Sequence, residues 1–235
     1  MKKISDKNNS FNPLFMIISC KKEKKMWKNI CKKFEDYNYA ILCGDNKGSN
    51  YSIDKNIIYI DCNDLYDGLP EKVIGGLLVI NNDSKFKNIS HIIKIDSNNY
   101  LSKKNIKKVV SKVEILREYD YFGQKVHEIK KKLKLEGAYH FKNVIPSSKW
   151  YKKEYEGDYC DYLDGGYSYC LSRKSINLIT SEFNFSNFKS ISDIHIYEDL
   201  MIALLLKKFD IFPVEQDLFI TSDKETTTYK TKKAL

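Results

Sequence analysis

Arginine is almost absent from this chain: of 40 basic side chains only Arg117 and Arg173 carry a guanidinium, and the rest are lysine. Base-specific DNA readers and stacking RNA binders lean on arginine forks, so specific nucleic-acid reading is disfavoured. A formal charge of +9 and a pI near 9.0 still point to an anionic partner, whether nucleic acid, a membrane surface or a nucleotide diphosphate. The six cysteines form no CxxC pair and no cluster with the four histidines, which themselves share no metal-ligand spacing. A zinc framework is excluded on that ground, and the cysteines are expected as buried, reduced thiols. No apolar run is long enough for a bilayer span: Leu14 to Cys20 and Leu200 to Leu206 are both too short, and no small-residue cleavage site follows the first. A cytoplasmic or otherwise soluble protein is expected, without signal peptide or membrane anchor. There is no internal repeat.

What is present is an alternation of strand-like and helix-like segments. Leu14 to Cys20, Tyr39 to Cys43, Ile57 to Ile60 and Ile92 to Ile95 read as buried strands. Met26, Trp27, Ile30, Cys31 and Phe34 recur at helical spacing within 22–34, and Pro70 suits the first turn of a helix continued by Val73, Ile74, Leu77 and Leu78. Residues 103–116 predict another helix, with lysines 103, 104, 107, 108 and 112 as a solvated face around Ile106, Val109, Val110 and Val113. Tyr119 to Gly123 reads as a strand bearing a glycine, and Leu200 to Leu206 as a helix buried on most sides. Strands alternating with helices predict an α/β fold with a mixed, mostly parallel sheet. With 235 residues and 42% hydrophobic content the chain suits a single domain over 1–220, followed by a polar tail over 221–235.

In such sheets ligands collect beyond the carboxyl ends of the strands. Asp96, closing the Ile92–Ile95 strand, stands there, and Asp96, Ser97 and Asn98 could offer oxygens to a hard cation; the same tripeptide also reads as a plain Asp/Ser/Asn turn. Asp199 opens the late apolar helix and is the candidate general base for an acceptor hydroxyl. The helix N-terminus is expected to keep it ionised, although an acidic first turn is equally a structural habit. Trp150, Tyr151 and the tyrosines up to Tyr169 could stack on a sugar or uracil, with Gly165 and Gly166 allowing close backbone approach; core aromatics around a turn are the alternative. The lysines of 21–33 and 130–134 read as solvated helix faces.

In order and spacing these segments resemble the family 31 glycosyltransferases, the β-1,3-galactosyl- and N-acetylglucosaminyltransferases and their Fringe-like relatives. Lys94-Ile95-Asp96-Ser97-Asn98 resembles the family's lysine-x-Asp-Asp-Asp strand end. Tyr121-Phe122-Gly123 is similar to its aromatic-x-glycine strand, Lys149-Trp150-Tyr151 to its Lys-Trp-Tyr, and Tyr162 to Gly165 with Tyr169 to Ser172 to its glycine block. Glu198-Asp199-Leu200 matches its Glu-Asp-Val helix start, and Asp61 to Lys72 an upstream block. The likeness spans about residues 14–213.

The resemblance implies a single GT-A-like domain that moves a hexose or N-acetylhexosamine from a UDP-sugar to a hydroxyl of a glycan or glycoconjugate with inversion, Asp199 acting as base. It implies donor contacts at Lys94, Asp96, Ser97 and Asn98, and sugar or acceptor contacts at Trp150, Tyr151, Asp164, Gly165, Gly166 and Glu198. Mn²⁺ or Mg²⁺ would sit on Asp96 and Asn98. The chain departs from the pattern in three ways: Asn98 replaces the usual aspartate and no histidine follows His195, Ser168 stands where a glycine is usual, and none of these 235 residues is expected to form the membrane anchor of secretory-pathway members. A catalytically silent domain that binds nucleotide-sugar or glycan is the alternative these departures raise. A basic nucleic-acid-binding module is disfavoured by the scarcity of arginine.

Overall fold

The computed structural model describes residues 11–45, 48–99, 101–128 and 138–220. At its centre β1 (Pro13–Ile18) pairs in parallel with β2 (Tyr39–Gly44) on one side and β5 (His91–Asp96) on the other, the last pairing running from Pro13 opposite His91 to Ile18 opposite Asp96. The sheet extends through β4 (Ile57–Ile60), parallel to β2, to β3 (Tyr51–Asp54), an antiparallel edge. Beyond β5 the run of parallel pairs ends. β9 (Tyr169–Ser172) runs antiparallel between β5 and β6 (Tyr121–Gly123), and β10 (Val214–Glu215) closes that edge in parallel with β6. The eight-stranded sheet is therefore mixed, with four of its seven pairings parallel. A separate ribbon joins β7 (Val126–His127) to β8 (Tyr162–Leu163).

Both faces of the sheet are covered, which is why its strands read as unbroken apolar runs. Leu14, Met16 and Ile18 face α2 (Leu69–Asn82), α5 (Arg173–Ser181), α6 (Ile191–Ile194) and α7 (Glu198–Lys207). Phe15 and Ile17 face α1 (Lys24–Phe34) and α3 (Lys103–Ile115). Near the start of the 138–220 stretch, the short α4 (Ala138–Phe141) carries buried His140. Local chemistry sets the boundaries. Pro70 lies in the first turn of α2, the Ser102 hydroxyl caps α3 by accepting the Asn105 N–H, and the Ser172 hydroxyl caps α5 by accepting the Ser175 N–H. Gly76 lets α2 press on β2, for a Cβ there would stand 2.0 Å from Leu42 Cδ2. The predicted tail over 221–235 and the lysines 130–134 lie outside the described residues.

Candidate active site

The carboxyl edge of β5 meets the start of α7 through one buried lysine. Side chains of β5 alternate, so Lys94 falls on the sheet face that α7 covers, and it is only 1% exposed. Its Nζ donates to Asp96 Oδ1 at 2.8 Å and to the Gly165 carbonyl at 2.9 Å, and lies 3.5 Å from Glu198 Oε2. Glu198, also buried, accepts the Tyr169 hydroxyl at Oε1. Half-buried Asp199 accepts the Gly165 N–H at Oδ2 (3.1 Å) and the Leu200 N–H at Oδ1 (2.9 Å). Three carboxylates, one ammonium and a glycine backbone thus share one corner of the molecule, and the acidic turn and the late helix face each other across it.

Burial and mutual charge set the proton affinities here. Burial opposes the Lys94 ammonium, but Asp96 and Glu198 outweigh it and raise its pKa. Burial pushes Glu198 up to about 7, with Asp199 and Asp96 acting the same way against Lys94 and the Tyr169 hydroxyl. Asp199 is raised too, first by burial and then by Asp164, against the N–H groups of Gly165 and Leu200. The helix start was expected to favour the ionised form; the Leu200 N–H does act that way, but desolvation is the larger effect.

A pH dependence follows for Glu198. Its folded pKa of about 7 lies above the ordinary 4.5, so its contribution to stability is complete below pH 4.5 and lost as the pH rises through 7. His91 and His195, whose pKa values burial lowers, act oppositely near the same window, so the comparison with Glu198→Gln isolates the effect. In urea unfolding the wild type is expected to lose more stability than Glu198→Gln between pH 4.5 and 7; parallel curves would show that Glu198 does not titrate there.

Gly165 and Gly166 hold the corner closed. Neither has a positive φ, so their role is steric: a Cβ on Gly165 would stand 3.0 Å from Glu198 Oε2, 3.2 Å from Lys94 Nζ and 3.3 Å from Asp199 Cβ. The Gly166 carbonyl accepts Asn99 Nδ2 at 2.8 Å, while Asn99 Oδ1 accepts the Asp96 N–H at 2.6 Å, so Asn99 ties the acidic turn to the glycine loop. Asp164 accepts the Gly166 N–H and His127 Nε2, both at 2.9 Å. Burial pulls the Asp164 pKa up, but His127, the Gly166 N–H and Lys125 prevail and it is lowered. Ser97 Oγ donates to Glu23 Oε2, which also accepts Ser19 Oγ, and Trp27 Nε1 donates to Ser19 Oγ in turn. Asn99, His127 and Glu23 were not candidates from sequence. Only the adjacency of Asn99 to the acidic turn could have signalled one of them.

Other candidates are placed differently. Trp150 is 3% exposed, its indole N–H donates to the Ser192 carbonyl, and its ring packs near His140 and Tyr155. It offers no open face for stacking. Instead it backs His140, whose Nδ1 meets the hydroxyl of Tyr197, the residue before Glu198. Tyr151 is exposed, with Lys152 Nζ 5.3 Å over its ring, and Asn98 is exposed on the acidic turn. Ser168, where a glycine is usual, has φ +101° and a buried hydroxyl without a hydrogen-bond partner. The Asp61–Lys72 block forms a neighbouring knot: Lys72 Nζ donates to the Ser19 carbonyl and to Asp64 Oδ1, and Asp64 also accepts the Gly44 and Lys21 N–H groups.

Among the described residues no three His, Cys, Asp or Glu side chains group as a metal site. Asp96 gives Oδ1 to Lys94, which leaves its second oxygen and the Asn98 amide for a hard cation. Such a pair fits Mn²⁺ or Mg²⁺ only where phosphate oxygens complete the shell. A cavity of about 750 Å³ opens beyond the β7–β8 ribbon, between Val126, Ala203 and Phe212, and no predicted site residue lines it. The Lys94 corner, with its buried charges, remains the stronger candidate.

A family model described as Galactosyltransferase matches residues 46–217. The chain belongs to this family. That makes it a glycosyltransferase, and the matched span of this galactosyltransferase-family chain contains Lys94, Asp96, Gly165, Glu198 and Asp199, while β1 and α1 precede it. Among solved structures, the apo form of mouse xyloside xylosyltransferase 1 is similar at 11% identity over 88% of this chain and 85% of that one, with a TM-score of 0.38. No curated protein matches. Among the described residues, no helix of this family member is long and apolar enough to cross a membrane.

Proposed function

We propose that the protein moves a hexose or N-acetylhexosamine from a UDP-sugar to a sugar hydroxyl in a single inverting displacement that leaves a β linkage. The supporting observation is the Lys94 corner, where Asp199, Glu198, Asp96 and the Gly165 backbone converge. A sugar hydroxyl attacks an anomeric carbon efficiently when a positioned base takes its proton, and Asp199, whose pKa burial raises and whose oxygens accept the Gly165 and Leu200 N–H groups, has the chemistry for that step. Lys94 fixes the direction of Asp96 and Glu198. Asp164, Gly165 and Gly166 offer hydrogen-bonding groups to the sugar, with Tyr151 as the exposed aromatic and Trp150 as support. Asp96, Ser97 and Asn98 face the nucleotide diphosphate; Mn²⁺ or Mg²⁺ on Asp96 and Asn98 would neutralise charge on the leaving UDP.

The test is transfer and donor hydrolysis over UDP-galactose, UDP-N-acetylglucosamine and UDP-glucose, with and without Mn²⁺, alongside thermal shift with UDP. Turnover of one donor with inversion is expected. The hold of Lys94 on Asp96 favours a second reading, a domain that binds nucleotide-sugar without turnover. A UDP shift with no product from any donor would establish that reading and end the first.

A further inference from the structure

The chain's charge is concentrated in one place. α1 and α3 together carry ten lysines and a single carboxylate, Glu114. The whole chain has 40 basic and 31 acidic residues, so these two helices account for the entire +9 and everything else is balanced. General lysine richness does not explain that, since elsewhere every lysine is matched by an acid.

The two helices lie side by side on one face of the sheet. Trp27, Ile30 and Phe34 of α1 and Ile106, Val109 and Val113 of α3 are buried in the same core, and Lys103 Nζ reaches Glu35 Oε1 just past α1 at 2.8 Å. Outward, each helix presents four exposed lysines. Ile115, 76% exposed, continues the stripe of Lys104 and Lys108, eleven and seven residues along the same helical face. Phe219, 37% exposed, lies beside it with Lys108 Nζ 5.5 Å over its ring.

We propose that the α1–α3 face docks on an anionic phospholipid bilayer. A broad basic face edged by apolar tips suits a headgroup layer: lysines meet the negative surface while Ile115 and Phe219 enter the acyl boundary. Neither helix contains an arginine, the residue that base-edge readout favours, which argues against sequence-specific binding of a nucleic-acid duplex. The two helices lie across the sheet from α7, which carries Glu198 and Asp199.

The experiment is co-sedimentation of the full chain with vesicles of phosphatidylcholine alone and with about one third phosphatidylserine, at about 0.1 M and about 0.5 M salt. Binding is expected only to the anionic vesicles and only at the lower salt. Each lysine near a charged surface changes partitioning about fivefold, so combined Lys25→Gln, Lys28→Gln, Lys104→Gln and Lys108→Gln should lower it by two to three orders of magnitude, roughly. Ile115→Ser should weaken binding with its salt dependence unchanged. These positions are exposed, and an unchanged melting curve confirms folding. No anionic vesicle binding, equal binding by the fourfold variant, or tighter binding to duplex RNA or DNA at the same salt would each overturn the proposal. The readout needs no turnover, so it stands or falls apart from the transferase reading.

Discussion

Asp199→Asn is expected to lower the transfer rate by roughly 10²–10⁴-fold while UDP still shifts the melting temperature. The substitution is closer to isosteric in shape than in hydrogen bonding. Both oxygens of Asp199 accept backbone N–H groups, from Leu200 and from Gly165. Asparagine has one acceptor oxygen, so one of those N–H groups must face an amide NH₂, at a cost of about 1–3 kcal/mol. Removing a buried charge offsets part of that cost, because burial already disfavours the carboxylate. A modest loss of stability is therefore expected, and the rates are to be compared at a temperature where both proteins are folded. A fall in kcat with donor KM little changed marks the loss of a base; equal kcat would remove Asp199 from the reaction.

Lys94→Met should be the most destabilising change at the site. It leaves Glu198 buried without its ammonium, and Asp96 and the Gly165 carbonyl without their donor. Breaking a buried ion pair from one side costs about 3–5 kcal/mol, which in a chain of this size lowers the melting temperature on the order of 10 °C. Burial and the loss of Lys94 both favour the protonated form of Glu198, so the double variant with Glu198→Gln should recover part of the loss chiefly above pH 7, and the cycle of four proteins measures the coupling there. A loss in Lys94→Met no greater than in Lys28→Met, on the exposed face of α1, would show that the lysine does not hold the corner together.

Much of this arrangement was legible in the sequence because it rests on long apolar segments. The strand ending at Asp96 and the helix beginning at Glu198 are each marked by a run that only burial on both sides explains, and the resemblance to the family's motifs implied that they share one site. What escaped was short or depended on tertiary contact. β9 is four residues, Tyr-Cys-Leu-Ser, too short for its own strand pattern to stand out after the glycine block, yet it lies antiparallel within the sheet. Lys94 was expected to meet the donor because of its place in a motif; nothing local reveals that a lysine on an apolar strand finds two carboxylates and a carbonyl seventy residues away. Trp150 was open to two readings, sugar stacking or core. An indole in an aromatic stretch suggests stacking, whereas the Ser192 carbonyl and the neighbouring rings make it part of the core.

The position of β9 also dictates an order of assembly. As the chain leaves the ribosome, β1, β2, β4 and β5 can zip together from consecutive βα units, but β5 then has a bare edge until residue 169 arrives, and β6 has no partner before it does. A nascent chain stalled or cut before Tyr169 would expose the Ile92–Ile93 edge to any passing strand, and its corner would lack Glu198 and Asp199 altogether. The late arrival of that one short strand joins β6 to the rest of the sheet, so misassembly of this protein should begin at β5.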